Sequence, residues 1–376
     1  MKPEKFEYTT MAQRYTARYP LLTYLSIQVN FWIIANVLLA LVISLYSKIS
    51  SLIYGIHVMM ELKSMLVMAV IAGIFYGVSY GLLAHYLERR FFRNLTLGKV
   101  ILLKTLGSVV LLILLLLLLR HLFWSFYIDL ASEKGTNLSN EIWDNVFYLL
   151  LVYYFFMAVL ISYINQVNKK YGPGVLIPLL LGRYRHPREE DRIFMFMDLK
   201  SSTTYAEKLG HLKYSSFIRD YFDDINQLLL PFRAQVYQYV GDEIVVMWSE
   251  KEGLINNFCL MFFFACQQQF KTRADYYLNK YGIVPEFKAG LHSGRVSAVE
   301  IGEIKKDIAY HGDTINTTAR IQSICNEHNK SFLISNYLLS KIELDPNIKI
   351  ENIGNILLRG KSEKIEIASI EYIKNH

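Results

Sequence analysis

Cysteine is scarce. The 376 residues hold three, Cys259, Cys266 and Cys325, with no paired CxxC spacing. That excludes a disulfide framework and a thiolate zinc site, and it fits a reducing compartment. Charge is thin as well: 19% of residues are charged and 53% are hydrophobic. A soluble protein of this size is rarely so apolar, and a membrane is implied. No removable leader is expected either, because the first twenty residues are polar and carry no short apolar core ahead of a small-residue cleavage site. The first membrane span is expected to do the targeting. Nor does the net charge of +7 gather on one strip of globular sequence. It lies beside the apolar runs, so lipid headgroups rather than nucleic acid are the expected partner.

Four stretches reach the roughly 20 apolar residues needed to cross a bilayer: Leu22 to Tyr46, Met65 to Leu87, Val100 to Leu119 and Val146 to Ile164. A shorter apolar patch, Leu52 to Met60, is interrupted by His57 and reads as an interfacial turn. Lys2, Lys5, Arg14 and Arg18 before the first span, and Arg89, Arg90, Arg93 and Lys99 after the second, mark cytoplasmic faces. Acidic Asp129, Glu133, Glu141 and Asp144, with Trp124, Tyr127 and Trp143, mark the outer loop after the third. The expected protein is multi-pass in the cell inner (plasma) membrane, with both termini cytoplasmic. Inside the spans, Asn30 and Asn36 read as hydrogen-bond partners between helices, and Lys104 as a side chain that snorkels to the interface. No ligand or regulator of this half can be named from its residues.

Residues 1–20 are then an N-terminal segment, 21–166 a four-helix transmembrane bundle, 167–190 a connector and 191–376 a globular domain. Gly172, Pro173, Gly174, Pro178 and Pro187 crowd the connector, which forbids one continuous helix and disfavours a coiled-coil stalk.

In the globular part, Arg192 to Met197 reads as a strand ending at Asp198, followed by a helix with Phe217, Tyr221 and Ile225 at fourfold spacing. AQVYQYV and EIVVMW read as strands joined by a tight turn at Gly241 and Asp242. Strand, crossover helix and neighbouring strand fit between the two aspartates, so both carboxylates can lie side by side. Such a pair suits two Mg²⁺ or Mn²⁺ ions and displacement at phosphorus. The loop Lys200, Ser201, Ser202, Thr203 offers backbone N–H groups to phosphate at a helix start. KAGLHSGRVSAVEIGEI reads as strand, tight turn and strand. In HGDTINTTAR, Asn316 and Arg320 stand four residues apart on one helical face.

Together, Asp198 in FMDLKSST, Asp242 in YVGDEI, LHSG, and the run from Gly312 to Arg320 resemble the class III adenylyl/guanylyl cyclase catalytic domain over residues 190–372. The resemblance implies an α+β, ferredoxin-like domain behind the four spans. It implies that Asp198 and Asp242, with the backbone carbonyl of Leu199, hold two metal ions, and that the loop through Thr203 binds phosphate. Asn316 would orient the ribose and Arg320 stabilise charge on the α-phosphate, with Arg359 or Lys361 on the triphosphate. It further implies a head-to-tail homodimer, because the carboxylates and the Asn/Arg pair serve a site from opposite subunits. Base choice falls to Gln238 and Ala309, which match neither the adenylyl nor the guanylyl pattern. ATP is the expected substrate because no acidic residue stands at 238 to select guanine; GTP or a pyrimidine triphosphate is the alternative. Two other readings are a diguanylate cyclase, from the VGDEI match to GGDEF, and a nucleotide-binding membrane receptor or scaffold without catalysis.

Overall fold

Apolar runs free of internal proline fold as helices in the N-terminal half. The computed structural model describes residues 19–54, 61–90, 95–131, 140–171, 181–303, 306–343 and 346–373, and the chain divides into two compact units at Pro173/Gly174. In the first unit run α1 (Pro20–Tyr54), α2 (Leu62–Arg90), α3 (Leu97–Ala131) and α4 (Asn140–Tyr171). Pro20 opens α1, where its missing N–H costs nothing. Each helix is long and apolar enough to cross a membrane. Gly73, Gly77 and Gly81 of α2 bring it hard against α1: a β-carbon at Gly77 would stand 2.7 Å from the Val29 Cα. The interior is aromatic and polar, with Trp32 stacked on Tyr154 at 5.2 Å.

Three expectations for this unit change. Leu52 to Tyr54 continue α1 rather than forming a turn, while 55–60 lie outside the described residues. Asn36 does join two helices, accepting from the Tyr154 hydroxyl at 2.7 Å, but Asn30 is exposed. Lys104 is buried inside the bundle instead of snorkelling. The physical reason is common to both: a span apolar on every side gives no sequence signal for its rotation, so only packing decides which residue faces inward. The basic segment 1–18, Arg93, the outer loop 132–139 and the connector glycines and prolines up to 178 lie outside the described residues.

The second unit is built on β1 (Arg188–Leu199), which begins four residues before the expected strand. Its side chains are buried on both faces: Ile193, Met195 and Met197 enter one core and Phe194 and Phe196 another. Each such fully buried chain contributes about 1.5–3 kcal/mol. Then follow α5 (Ser202–Leu229), β2 (Gln235–Val240), β3 (Glu243–Ser249), α6 (Glu250–Leu254), α7 (Phe258–Thr272), α8 (Ala274–Tyr281) and β4 (Phe287–Ile301). Strand order β2-β3-β1-β4 completes a ferredoxin-like β-α-β-β-α-β unit. β5 (Asp307–His311), α9 (Asp313–Ser323), β6 (Phe332–Ser335), α10 (Asn336–Leu339), β7 (Ile348–Ile356) and β8 (Ile365–Tyr372) extend it, so the sheet continues β4-β6-β8-β7 with β5 on β4. Phe217, Tyr221 and Ile225 of α5 are buried as their spacing requires.

The segment read as strand, turn and strand around His292 is one unbroken 15-residue strand, β4. Gly290 and Gly294 do not turn the chain. They leave room for α9: a β-carbon at Gly294 would stand 2.5 Å from the Thr314 hydroxyl, and one at Gly290 would press on the backbone at Gln322.

Candidate active site

Register places the acidic residues. β1 pairs antiparallel with β3 and β4, so that Asp198 stands opposite Glu243 on one side and Lys288 on the other. Side chains directly across a sheet share a face, and this row of three runs along the face opposite the α5 core. Asp242 sits in the turn between β2 and β3, where Gly241 takes the positive φ of 64° that the turn demands. Lys288 reaches Asp198 Oδ2 at 3.3 Å, and Gln322 of α9 donates from Nε2 to the same oxygen at 3.1 Å.

Crowded negative charge shows in the protonation of the group. Burial and then Asp242 push the Asp198 carboxyl up, against Lys288 and Gln322, which lower it. Burial, Asp198 and Asp242 raise Glu243 to about 7. Among the described residues no three His, Cys, Asp or Glu side chains form a closed metal cage. The donor set is instead oxygen-only and open, two carboxylates at a strand end and a turn beside Leu199. That fits Mg²⁺ or Mn²⁺, which keep waters and bind one or two carboxylates together with substrate phosphates.

Directly after Leu199, Lys200 and Ser201 turn the chain into α5. Ser201 adopts a left-handed φ of 56° and makes no side-chain cap. The first N–H groups of α5, at Ser202 and Thr203, therefore stand at the strand end beside Asp198, where a helix start favours phosphate.

α9 has two distinct sides. Thr314, Thr318 and Gln322 are buried against β4, whereas Asn316 is exposed and Arg320 half-buried. At 100° per residue, Arg320 and Gln322 leave the helix about 160° apart. The helix thus gives Gln322 to its own Asp198 and turns Asn316 and Arg320 away from it. Arg320 lies against the β7–β8 turn, where a β-carbon at Gly360 would come 3.2 Å from its guanidinium. Lys361 of that turn pairs with Asp313 at the start of α9, whereas Arg359 is exposed. The structure therefore brings Lys361 to the Arg320 side.

Gln238 is exposed on β2, and a bulge at Tyr237 shifts its register. Ala309 is buried on β5, and alternation sends its methyl to the face opposite Tyr310. The sheet curls far enough for the Tyr237 and Tyr310 rings to meet at 5.3 Å.

Lys288, Glu243 and Gln322 were not found from sequence. Alternation along FKAGLHSG could have placed Lys288 on the face of Gly290 and Gly294. Gln322 needed the docking of α9.

His292, on β4 near this turn, shares a short hydrogen bond with Ser335 Oγ at 2.6 Å. Burial, helped by the Lys361 and Lys341 charges against Asp313, lowers it to about 4 from an ordinary 6.5. Because the folded chain binds this proton less readily than the unfolded one, the contribution to stability is complete above pH 6.5. It is lost as pH falls toward 4. Urea unfolding of the full chain in detergent should show about 2 kcal/mol less stability at pH 5 than at pH 7.5 from this residue. His292→Gln should remove that part of the slope; an unchanged slope would refute the assignment.

The family described as "Adenylate and Guanylate cyclase catalytic domain" matches residues 185–371. Adenylate cyclase 2 of Rhizobium meliloti (strain 1021) is 33% identical over 221 residues, covering 59% of this chain and 61% of that protein. Adenylate cyclase 1 of the same organism is 21% identical over 180 residues, covering 47% of this chain and 27% of that protein. The chain thus spans less than two thirds of the length of these relatives. Among solved structures, the adenylyl cyclase CyaB from P. aeruginosa aligns at 18% identity with a TM-score of 0.44, over 50% of this chain and 97% of that one.

Proposed function

Because residues 185–371 belong to the adenylate and guanylate cyclase catalytic domain family, we propose that this chain is a membrane-anchored, homodimeric adenylate cyclase. It converts ATP to 3′,5′-cyclic AMP and pyrophosphate. The observation that carries the reading is the pairing of an open, oxygen-only carboxylate site at Asp198 and Asp242 with a helix that presents Asn316 and Arg320 away from it. One chain then holds both halves of a site but cannot join them. A second copy, head to tail, can.

In this reading Asp198, Asp242 and the Leu199 carbonyl would hold two Mg²⁺ or Mn²⁺ ions. Those ions would supply Lewis acidity for the attacking hydroxyl and charge neutralisation on the triphosphate. The N–H groups following Lys200 and Ser201 take phosphate oxygens, with Ser202 and Thr203 lining the turn. The partner's α9 supplies Asn316 to the ribose and Arg320 to the α-phosphate. The 3′-oxygen forms its bond to the α-phosphorus as the bond to the bridging β-phosphate oxygen breaks, and the hydroxyl proton passes to solvent. Arg320 stabilises the charge that builds on the α-phosphate oxygens. Lys361, now engaged with Asp313 on the turn that Arg320 lies against, is offered to the released pyrophosphate, with exposed Arg359 as the second cation.

The four apolar helices of the first unit support multi-pass anchoring in the inner membrane, with the basic flanks and the cyclase domain on the cytoplasmic side. Anchoring raises the effective concentration of one domain for its partner.

Exposed Gln238, able to donate and accept, and Ala309, with nothing polar to offer, favour a second reading in which another base is accepted. The test is the full chain in detergent or vesicles with Mn²⁺ and each of the four nucleoside triphosphates, products read by mass spectrometry. ATP should give the most cyclic product. A cyclic product chiefly from GTP or a pyrimidine triphosphate would move the substrate, and none from any of the four would leave a non-catalytic nucleotide receptor.

A further inference from the structure

The carboxylate expected to hold metal is not free in its own chain. Asp198 Oδ2 accepts from Gln322 Nε2 at 3.1 Å and faces the Lys288 ammonium at 3.3 Å. Of these two, the lysine is a cation, whereas Gln322 is neutral, 6% exposed and set by the docking of α9 on β4. That docking is unusually close. Gly290 lets the backbone at Gln322 sit where any β-carbon would collide, with Gln322 Cα and the Thr318 carbonyl both 2.8 Å from that point. On the same inner side, Thr314 donates to the Arg295 carbonyl at 3.0 Å and Thr318 to the Thr314 carbonyl at 2.7 Å.

An amide at this place is chemically specific. Asp198, Asp242 and Glu243 already repel one another, and a carboxylate at 322 would add a further negative charge with no hydrogen to donate. An amide N–H, by contrast, holds one oxygen of Asp198 without competing as a cation. A carboxylate fixed in orientation binds a metal better than one free to rotate, and loss of such an outer hydrogen bond typically costs about 10- to 100-fold in metal affinity.

We propose that Gln322 is a positioning residue: its side-chain amide sets the Asp198 carboxylate for metal binding within the same chain. α9 then serves both half-sites, with its inner side aiming the carboxylate of one and its outer side presenting Asn316 and Arg320 to the other. This rests on the cyclase reading above, and the tests separate the two.

The first test is direct Mn²⁺ titration of the full chain in detergent, read by electron paramagnetic resonance without nucleotide. Gln322→Met keeps the length and burial of the side chain but removes the donor; it should weaken Mn²⁺ binding about tenfold with a thermal unfolding midpoint near the parent value. Gln322→Leu is the second variant if the methionine chain does not fold. Unchanged Mn²⁺ affinity in a folded variant overturns the proposal, whatever the activity. The second test places Gln322→Met in mixed dimers of Asp198→Ala and Arg320→Ala chains, where a single site draws its carboxylates from the Arg320→Ala chain. There the substitution should raise the Mn²⁺ concentration for half-maximal rate about tenfold; in the Asp198→Ala chain it should not move it. Equal effects from both placements overturn the same-chain assignment. If the mixed dimers make no product at all, the shared-site reading fails, and the Mn²⁺ titration still decides the role of Gln322.

Discussion

Chains carrying Asp198→Ala or Arg320→Ala are each expected to lose cyclase activity by about three orders of magnitude, and the two co-expressed chains to recover about a quarter of the parent rate. Removing the carboxylate takes away a charged oxygen where the strand end, the turn at Asp242 and the start of α5 meet. Removing the guanidinium takes away the charge proposed to answer the α-phosphate. The recovery follows from counting: random pairing makes half of the dimers mixed, and each mixed dimer holds one complete site of two. Its physical basis is the wheel of α9, on which Gln322 faces the Asp198 of its own chain and Arg320 leaves from nearly the opposite side. The readout is cyclic nucleotide per milligram of membrane protein, with both chains quantified. Either single variant retaining a tenth of the parent rate would remove that residue from the chemistry. A mixture as inactive as its components, with both chains folded, would place the whole site within one chain.

Much of this site could be read from local pattern. Gly241 and Asp242 between two alternating strands announced a tight turn carrying a carboxylate, and the turn forms at that place. Asn316 and Arg320 share a helix face because fourfold spacing leaves no other outcome. The four apolar helices follow from length and composition. What stayed hidden is set by packing between distant segments. Ser293 and Gly294 form a turn-like dipeptide, yet β4 runs straight through them because Ala289 and Leu291 are buried on one face while the glycines receive α9 on the other. Lys288 meets Asp198 through strand register, and Gln322 meets it across 124 positions of sequence. No window along the chain contains either pair. Asn30 and Lys104 changed places with respect to lipid for the related reason that an all-apolar helix carries no mark of its inward side.

Gly290→Val should inactivate the enzyme without touching any residue proposed to meet the nucleotide. The valine β-carbon would fall against the Gln322 backbone nitrogen and 2.8 Å from both Gln322 Cα and the Thr318 carbonyl oxygen. All three are backbone atoms of α9, so no side-chain rotation can relieve the clash; the helix itself must lift from β4. Lifting it moves Gln322 off Asp198 and shifts Asn316 and Arg320 together, and a displacement of about 1 Å in a positioned group is enough to cost about 100-fold in rate. Strain of this kind also costs about 1–3 kcal/mol of stability, so the thermal midpoint should fall while the far-ultraviolet spectrum stays that of a folded chain. Gly282→Ala offers the comparison: it adds the same β-carbon at a left-handed φ of 70° but into open space, so it should lose stability through backbone strain alone and keep its rate when folded. A Gly290→Val chain with near-parent activity would mean that α9 is held by something other than its close fit on β4.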